Sequence, residues 1–232
     1  MKDEVIDFLL CSYFGIKSQE DVVPKNEKDR ENLILKCARR AYQDLCRTLR
    51  FRESPNAKGL GKAEKERIER SHGDFCDKIS KMIRDRALPC LLTATDEVDF
   101  NDKHQKVCAA ICKEANGTRI KDREDTVLKK RFYDGQAQKW LNMTIKYMWL
   151  LGLLGDQMKE FLSVVHVPVD NDVIKKAIDM DVKPSKKTWS TWSYEEYEKF
   201  QKDLKDKLAG EPPLKWENRV WMEGKGENCM HT

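Results

Sequence analysis

Four polar residues interrupt the most apolar stretch of this 232-residue chain, and their spacing is that of one helix face. At about 100° per residue, Asn142, Lys146 and Lys139 fall within about 100° of Gln138. The rest of the circumference between Gly135 and Leu154 is almost wholly apolar or aromatic. A buried lysine is unfavourable without a partner. A narrow stripe of two lysines, an asparagine and a glutamine is therefore expected to line a groove or pocket, or to pair with carboxylates of a neighbouring helix. Gln136 joins it at the helix start, where free N–H groups and the helix dipole favour an anion. Gly135 allows close approach of a ligand or another backbone. Phosphate, free or in a nucleic-acid backbone, suits such an arrangement. A lysine in an apolar surround, here Lys139, is also a candidate nucleophile.

The histidines offer acid/base chemistry, because imidazole titrates near neutrality. His72 is in helical register with Ile68, Phe75 and Ile79, so it points inward. His104 is in register with Val107, Cys108 and Ile111, and His166 precedes Asp170 in a short non-helical link. The candidate catalytic set is His72, His166, Lys139 and Asp170. Taken separately, each histidine is a hydrogen-bonded core residue. His104, Cys108 and Cys112 share one face, but zinc usually needs a fourth ligand and rarely uses three successive turns of one helix. Packing is expected there, with no metal and no cofactor. Trp189, Trp192 and Tyr194 lie near Lys183, Lys186 and Lys187, a mixture that can stack bases. A plug at the bundle end is the favoured reading. No phosphate-binding glycine loop, zinc-protease motif or serine elbow is present.

Arg67 and His72 have the spacing Arg-x4-His. This resembles the R-x4-6-H motif of the HEPN ribonucleases, an all-α superfamily in which the Arg and His of two chains or pseudo-repeats meet and cleave RNA without metal. The resemblance implies such a role for Arg67 and His72. It covers six residues, and it departs from the family at Ile68, which is apolar where the family usually has a polar residue.

The formal charge, 44 Lys+Arg against 40 Asp+Glu, is only +4, but it is unevenly distributed. Residues 36–52 hold six basic residues against the single acid Asp44, and residues 113–147 hold nine against five. The two segments would suit an anionic partner if they meet in space. Arg39, Arg40 and Arg47 are the candidate contacts on the first.

These residues need helices to hold them. Periods of 3.6 run through 4–14, 29–51, 62–86, a segment ending at Asn116-Gly117, 135–154, 156–165, 173–180 and 193–210. Pro89 is expected to end the third, and Asp99 or Asn101 to cap the fourth. Asp170 is an expected N-cap, and Ser193 with Glu196 an expected capping box. Residues 118–131 read as a connection or short helix, and 52–62 as a mobile loop. The expectation is one all-α domain over 1–232, a bundle of about seven to nine helices. No apolar run reaches the ~18–20 residues of a membrane span. The N-terminus does not read as a signal peptide, and cysteines within helical apolar patterns suggest a reduced, cytosolic chain. The favoured function is binding of an anionic partner, nucleic acid foremost. The alternatives are an enzyme acting on nucleic acid or nucleotide, and a scaffold without a ligand. Oligomeric state is left open.

Overall fold

The computed structural model describes residues 3–56, 58–120, 124–155 and 158–228. The helices are α1 (Asp3–Phe14), α2 (Glu27–Leu45), α3 (Lys62–Met82), α4 (Leu88–Leu92), α5 (Glu97–Gly117), α6 (Asp134–Leu150), α7 (Met158–Val164), α8 (Asn171–Ile178), α9 (Tyr194–Lys207) and α10 (Pro213–Asn228). Among the described residues, β structure is limited to two isolated bridges, Phe51 with Leu128 and Arg119 with Thr126. The fold is the expected all-α bundle. None of its described helices is long and apolar enough to cross a membrane.

The apolar breadth of α6 puts it at the centre. Every residue from Gly135 to Lys146 is buried. Its principal neighbour is α2, whose Leu33, Ile34, Cys37, Ala38, Ala41 and Leu45 are buried on the facing side. Ala38 and Ala41 leave room for the fully buried Trp140. The Trp140 indole donates to Ala38 O at 2.8 Å and packs 5.1 Å from the Tyr42 ring. Each large apolar side chain buried in this way contributes about 1.5–3 kcal/mol. At the start of α6, Gly135 lies beneath the Trp189 carbonyl, where an added Cβ would collide with backbone.

Helix ends follow local chemistry, with two departures from expectation. Asp170 caps α8 through Val173 N–H, and Ser193 and Glu196 form the capping box of α9. The cap of α5 is Asp96, which accepts from Asp99 N–H, so the helix starts earlier than Asp99 or Asn101 would set it. Pro89 does not end the third helix. A π turn at Ile83–Ala87 carries the chain into α4, with Leu88 N–H reaching back to Ile83 O. Pro89 then occupies the first turn of α4, where no amide donor is required. With α3, the π turn and α4 counted as one rod, the described residues form nine helices.

Residues 118–120 and 124–131 form no short helix. They pair instead with the end of the α2 region: Lys129 N–H donates to Arg50 O at 2.7 Å and Arg52 N–H to Val127 O at 3.0 Å. The expected loop at 52–62 is irregular up to Gly61, where α3 begins at Lys62, and is anchored at its start by Glu53; its Ala57 lies outside the described residues.

Candidate functional site

The α6 stripe divides into a deep half and a cleft half, and one extended segment organises both. Residues 165–170 run unpaired by any strand between α6 and α9. Their backbone is held by glutamine side chains. Gln201 accepts from Val167 N–H and donates to Val167 O, at 3.1 and 2.8 Å. Gln138 accepts from Val169 N–H and donates to Val169 O, at 3.2 and 3.3 Å. Buried backbone groups need such partners.

The deep half continues as a directed chain. Asn142 donates its amide to Val167 O and to the Tyr197 hydroxyl (2.8 Å), so its Oδ1 accepts from His104 Nε2 at 2.9 Å. The Tyr197 hydroxyl then donates to His166 Nδ1 at 2.8 Å. Both histidines are buried, with ring centroids 4.9 Å apart, and both are held neutral. Burial lowers the His104 pKa to about 4. Burial, then the neighbouring His104 imidazole and the Lys205 ammonium, push His166 well below its ordinary range. Within this arrangement the two histidines fix the position of 166–170 relative to α6.

The cleft half faces a cavity of about 620 Å³ between α2, α6, α8 and α10. Lys139 Nζ lies 2.7 Å from Asp170 Oδ2 and 3.3 Å from Pro168 O. About two helical turns on, Lys146 Nζ lies 2.6 Å from Glu217 Oε2 and 5.5 Å from the centroid of the Trp221 ring. Arg40 pairs with Asp44 at 3.1 Å and sits against Tyr13 and Tyr147. Arg47 and Trp189 complete the wall. Burial opposes ionisation of Asp170, but the Lys139 charge and hydrogen bond, aided by backbone N–H groups, hold its carboxyl below the usual range. For Glu217 the balance is reversed, and burial pushes the carboxyl up despite Lys146. The cleft thus offers fixed ammonium groups, guanidinium groups and aromatic faces, together with one carboxyl whose proton is held more tightly than usual.

The structure brings together Lys139, Lys146, Asp170, Arg40 and Arg47 of the sequence-derived candidates. Gln138, Asn142 and His166 support them from behind and do not line the cleft. The start of α6 is closed to an anion on that side, because Gly135 N–H donates to Trp192 O and the Gln136 amide to Thr48. Arg39 pairs with Asp77 at 2.8 Å, away from the cleft. His72 also lies outside it, stacked on Phe51 at 3.8 Å with Nε2 donating to Glu53 O. Arg67 pairs with Glu53 and Glu64. The Arg-x4-His pair thus converges on Glu53, and its arginine is engaged by two carboxylates. The described cysteines are all free thiols, and Cys229 lies outside the described residues. His104, Cys108 and Cys112 belong to no metal-holding group among the described residues. Trp192 and Tyr194 are buried in the core.

Glu217, Tyr147 and Trp221 were not among the candidates. The signal for Glu217 was present in the sequence. It lies three residues after Leu214 and four before Trp221, which places an acid on the apolar face of α10. Compared with known proteins, the chain matches no family model, no curated protein and no solved structure.

Proposed function

We propose that this chain is a binding protein for a compact anionic ligand of the nucleic-acid class, a nucleotide or short single strand, seated in the cleft. One observation carries the reading: Lys139 and Lys146, each fixed by a largely buried carboxylate, share a cleft with Arg40, Arg47 and the rings of Tyr147, Trp189 and Trp221. Lysines already immobilised lose little further freedom on binding. Aromatic faces accept bases without regard to sequence. The cavity lies within the range of about 300–1,000 Å³ usual for small-molecule sites. Asp44, Asp170, Asp172 and Glu217 balance the four cations, so the cleft has no strong positive field for a long duplex. The same carboxylates suit the N–H donors of a base.

The test is tryptophan fluorescence during titration with nucleosides, nucleoside phosphates and short single-stranded oligonucleotides, at low and moderate salt. Saturable quenching is expected, and it should be lost in the paired variant Lys139→Met with Asp170→Asn. No response to any of them up to about 1 mM would overturn the reading.

A second reading, an enzyme acting on the same ligand, draws on the raised carboxyl of Glu217 at the cleft wall, a suitable general acid. Product formation from a bound nucleotide that disappears in Glu217→Gln, with binding intact, would support it. Binding without turnover would leave the first reading alone.

A further inference from the structure

The two basic segments of the sequence do meet, at a place none of the site candidates marked as a centre. Beside the cleft lies a smaller pocket of about 300 Å³. Arg50 contributes to it from the first segment, and Lys130 and Arg131 from the second. The backbone pairing of Arg50 with Lys129 and of Arg52 with Val127 holds the two segments together. Thr48, Thr188 and Ser190 line both the pocket and the cleft, so the two adjoin.

Their charges differ. The cleft balances cations with carboxylates, whereas among the described residues no carboxylate lines the pocket. Neither Lys130 nor Arg131 forms an ion pair with a described residue; Arg131 lies over the Tyr133 ring, 5.6 Å from its centroid. Arg50 Nη1 is anchored on Arg47 O and Leu49 O, which leaves its other nitrogens free to face a ligand. The floor is rigid, because Gln136 donates to Thr48 O and Thr48 Oγ1 and accepts from Tyr133 N–H. Surface cations in most proteins are diluted by nearby acids. Two guanidinium forks and an ammonium around a concavity without acids are instead the geometry of phosphate recognition.

We propose that this pocket is a phosphate subsite, receiving the phosphate of a nucleotide or strand whose base lies in the neighbouring cleft. The assignment of the base rests on the function proposed above; the affinity of the pocket for phosphate does not.

Two titrations separate the claims. The first uses inorganic pyrophosphate and tripolyphosphate alone, followed calorimetrically, with wild type and with Arg50→Gln/Arg131→Gln. Both residues are exposed, and the unfolding midpoint of the variant checks that it remains folded. Binding to wild type that weakens by roughly tenfold or more in the variant is expected for lost charge-assisted contacts. The second compares a nucleoside with its mono-, di- and triphosphates and with a short oligonucleotide. Wild-type affinity should rise with phosphate number, and the variant should bind all of them about as weakly as the nucleoside. Equal affinity of wild type and variant for every phosphate overturns the subsite. Pyrophosphate binding without any nucleoside or nucleotide response in the cleft retains the subsite and overturns the nucleotide reading. Nucleoside binding unaffected by added phosphates does the reverse.

Discussion

Lys146 Nζ lies 2.6 Å from Glu217 Oε2, and neither side chain is more than 6% exposed. A cation on the central helix is thus paired with an anion on the last one, across a cleft wall that water barely reaches. Removing either partner leaves the other charge buried. Lys146→Met and Glu217→Leu alone should each destabilise the fold by about 3–5 kcal/mol, and the double variant should recover most of that loss. Urea unfolding of the three variants measures it. Additive losses in the double variant would contradict a coupled pair.

Asp170 has two separable roles. It caps α8 and it holds Lys139. Asp170→Asn retains a capping acceptor and removes the charge, whereas Asp170→Ala removes both. The alanine variant should be less stable than the asparagine variant by about 1 kcal/mol. Both should lose ligand quenching. Equal stability of the two would deny the cap its contribution.

Acid should unfold this protein early. His104 and His166 are neutral in the fold because their pKa values lie below the ordinary 6.5, with His104 at about 4. The unfolded chain therefore binds more protons in this window. The stability that the pair contributes is fully present above pH about 6.5 and is lost as pH falls toward the folded values, by up to about 1.4 kcal/mol per pH unit for each histidine. Asp170, with a lowered carboxyl, adds a loss in the same direction only at still lower pH. Glu217, with a raised carboxyl, contributes the opposite sign as pH rises through its folded value. Denaturation midpoints from pH 7 to pH 4.5 should fall steeply, and a flat profile would show that the histidines are not kept neutral.

Among the described glycines, Gly135 is the one where an added methyl group would meet backbone directly, at the Trp189 carbonyl. Gly135→Ala should destabilise by about 1–3 kcal/mol, as overpacking of a close contact does. It should also shift the tryptophan emission, since Trp189 must move. An unchanged midpoint and spectrum would mean that this contact is looser than described.

The stripe of α6 was legible because its period is local: four residues on one face require no knowledge of their neighbours. The helices and most caps were legible for the same reason. The partners were not. Asp170 could be read as a cap, but its pairing with Lys139 depends on how residues 165–170 cross α6. Glu217 reaches Lys146 only through the placement of α10. His72 and His104 have similar inward registers in sequence, yet one stacks on Phe51 at the edge of the core and the other joins a buried hydrogen-bond chain through Asn142. The π turn was hidden because Pro89 normally marks a stop, and only the shifted hydrogen bond from Leu88 makes it tolerable. Arg50, Lys130 and Arg131 were visible as charge, but the backbone pairing that brings them together spans nearly eighty residues of chain.

The glutamines that grip Val167 and Val169 have a consequence beyond the site. An extended segment normally exposes a row of unpaired N–H and C=O groups, a template on which another chain can add a strand and begin to aggregate. Here Gln138 and Gln201 mimic the adjacent strand, each presenting one acceptor and one donor to the same residue. An otherwise helical protein can therefore carry a straight connection through its interior with that edge already occupied. Hydrogen exchange should reveal it: the Val167 and Val169 amides, outside any helix, should exchange as slowly as those of α6.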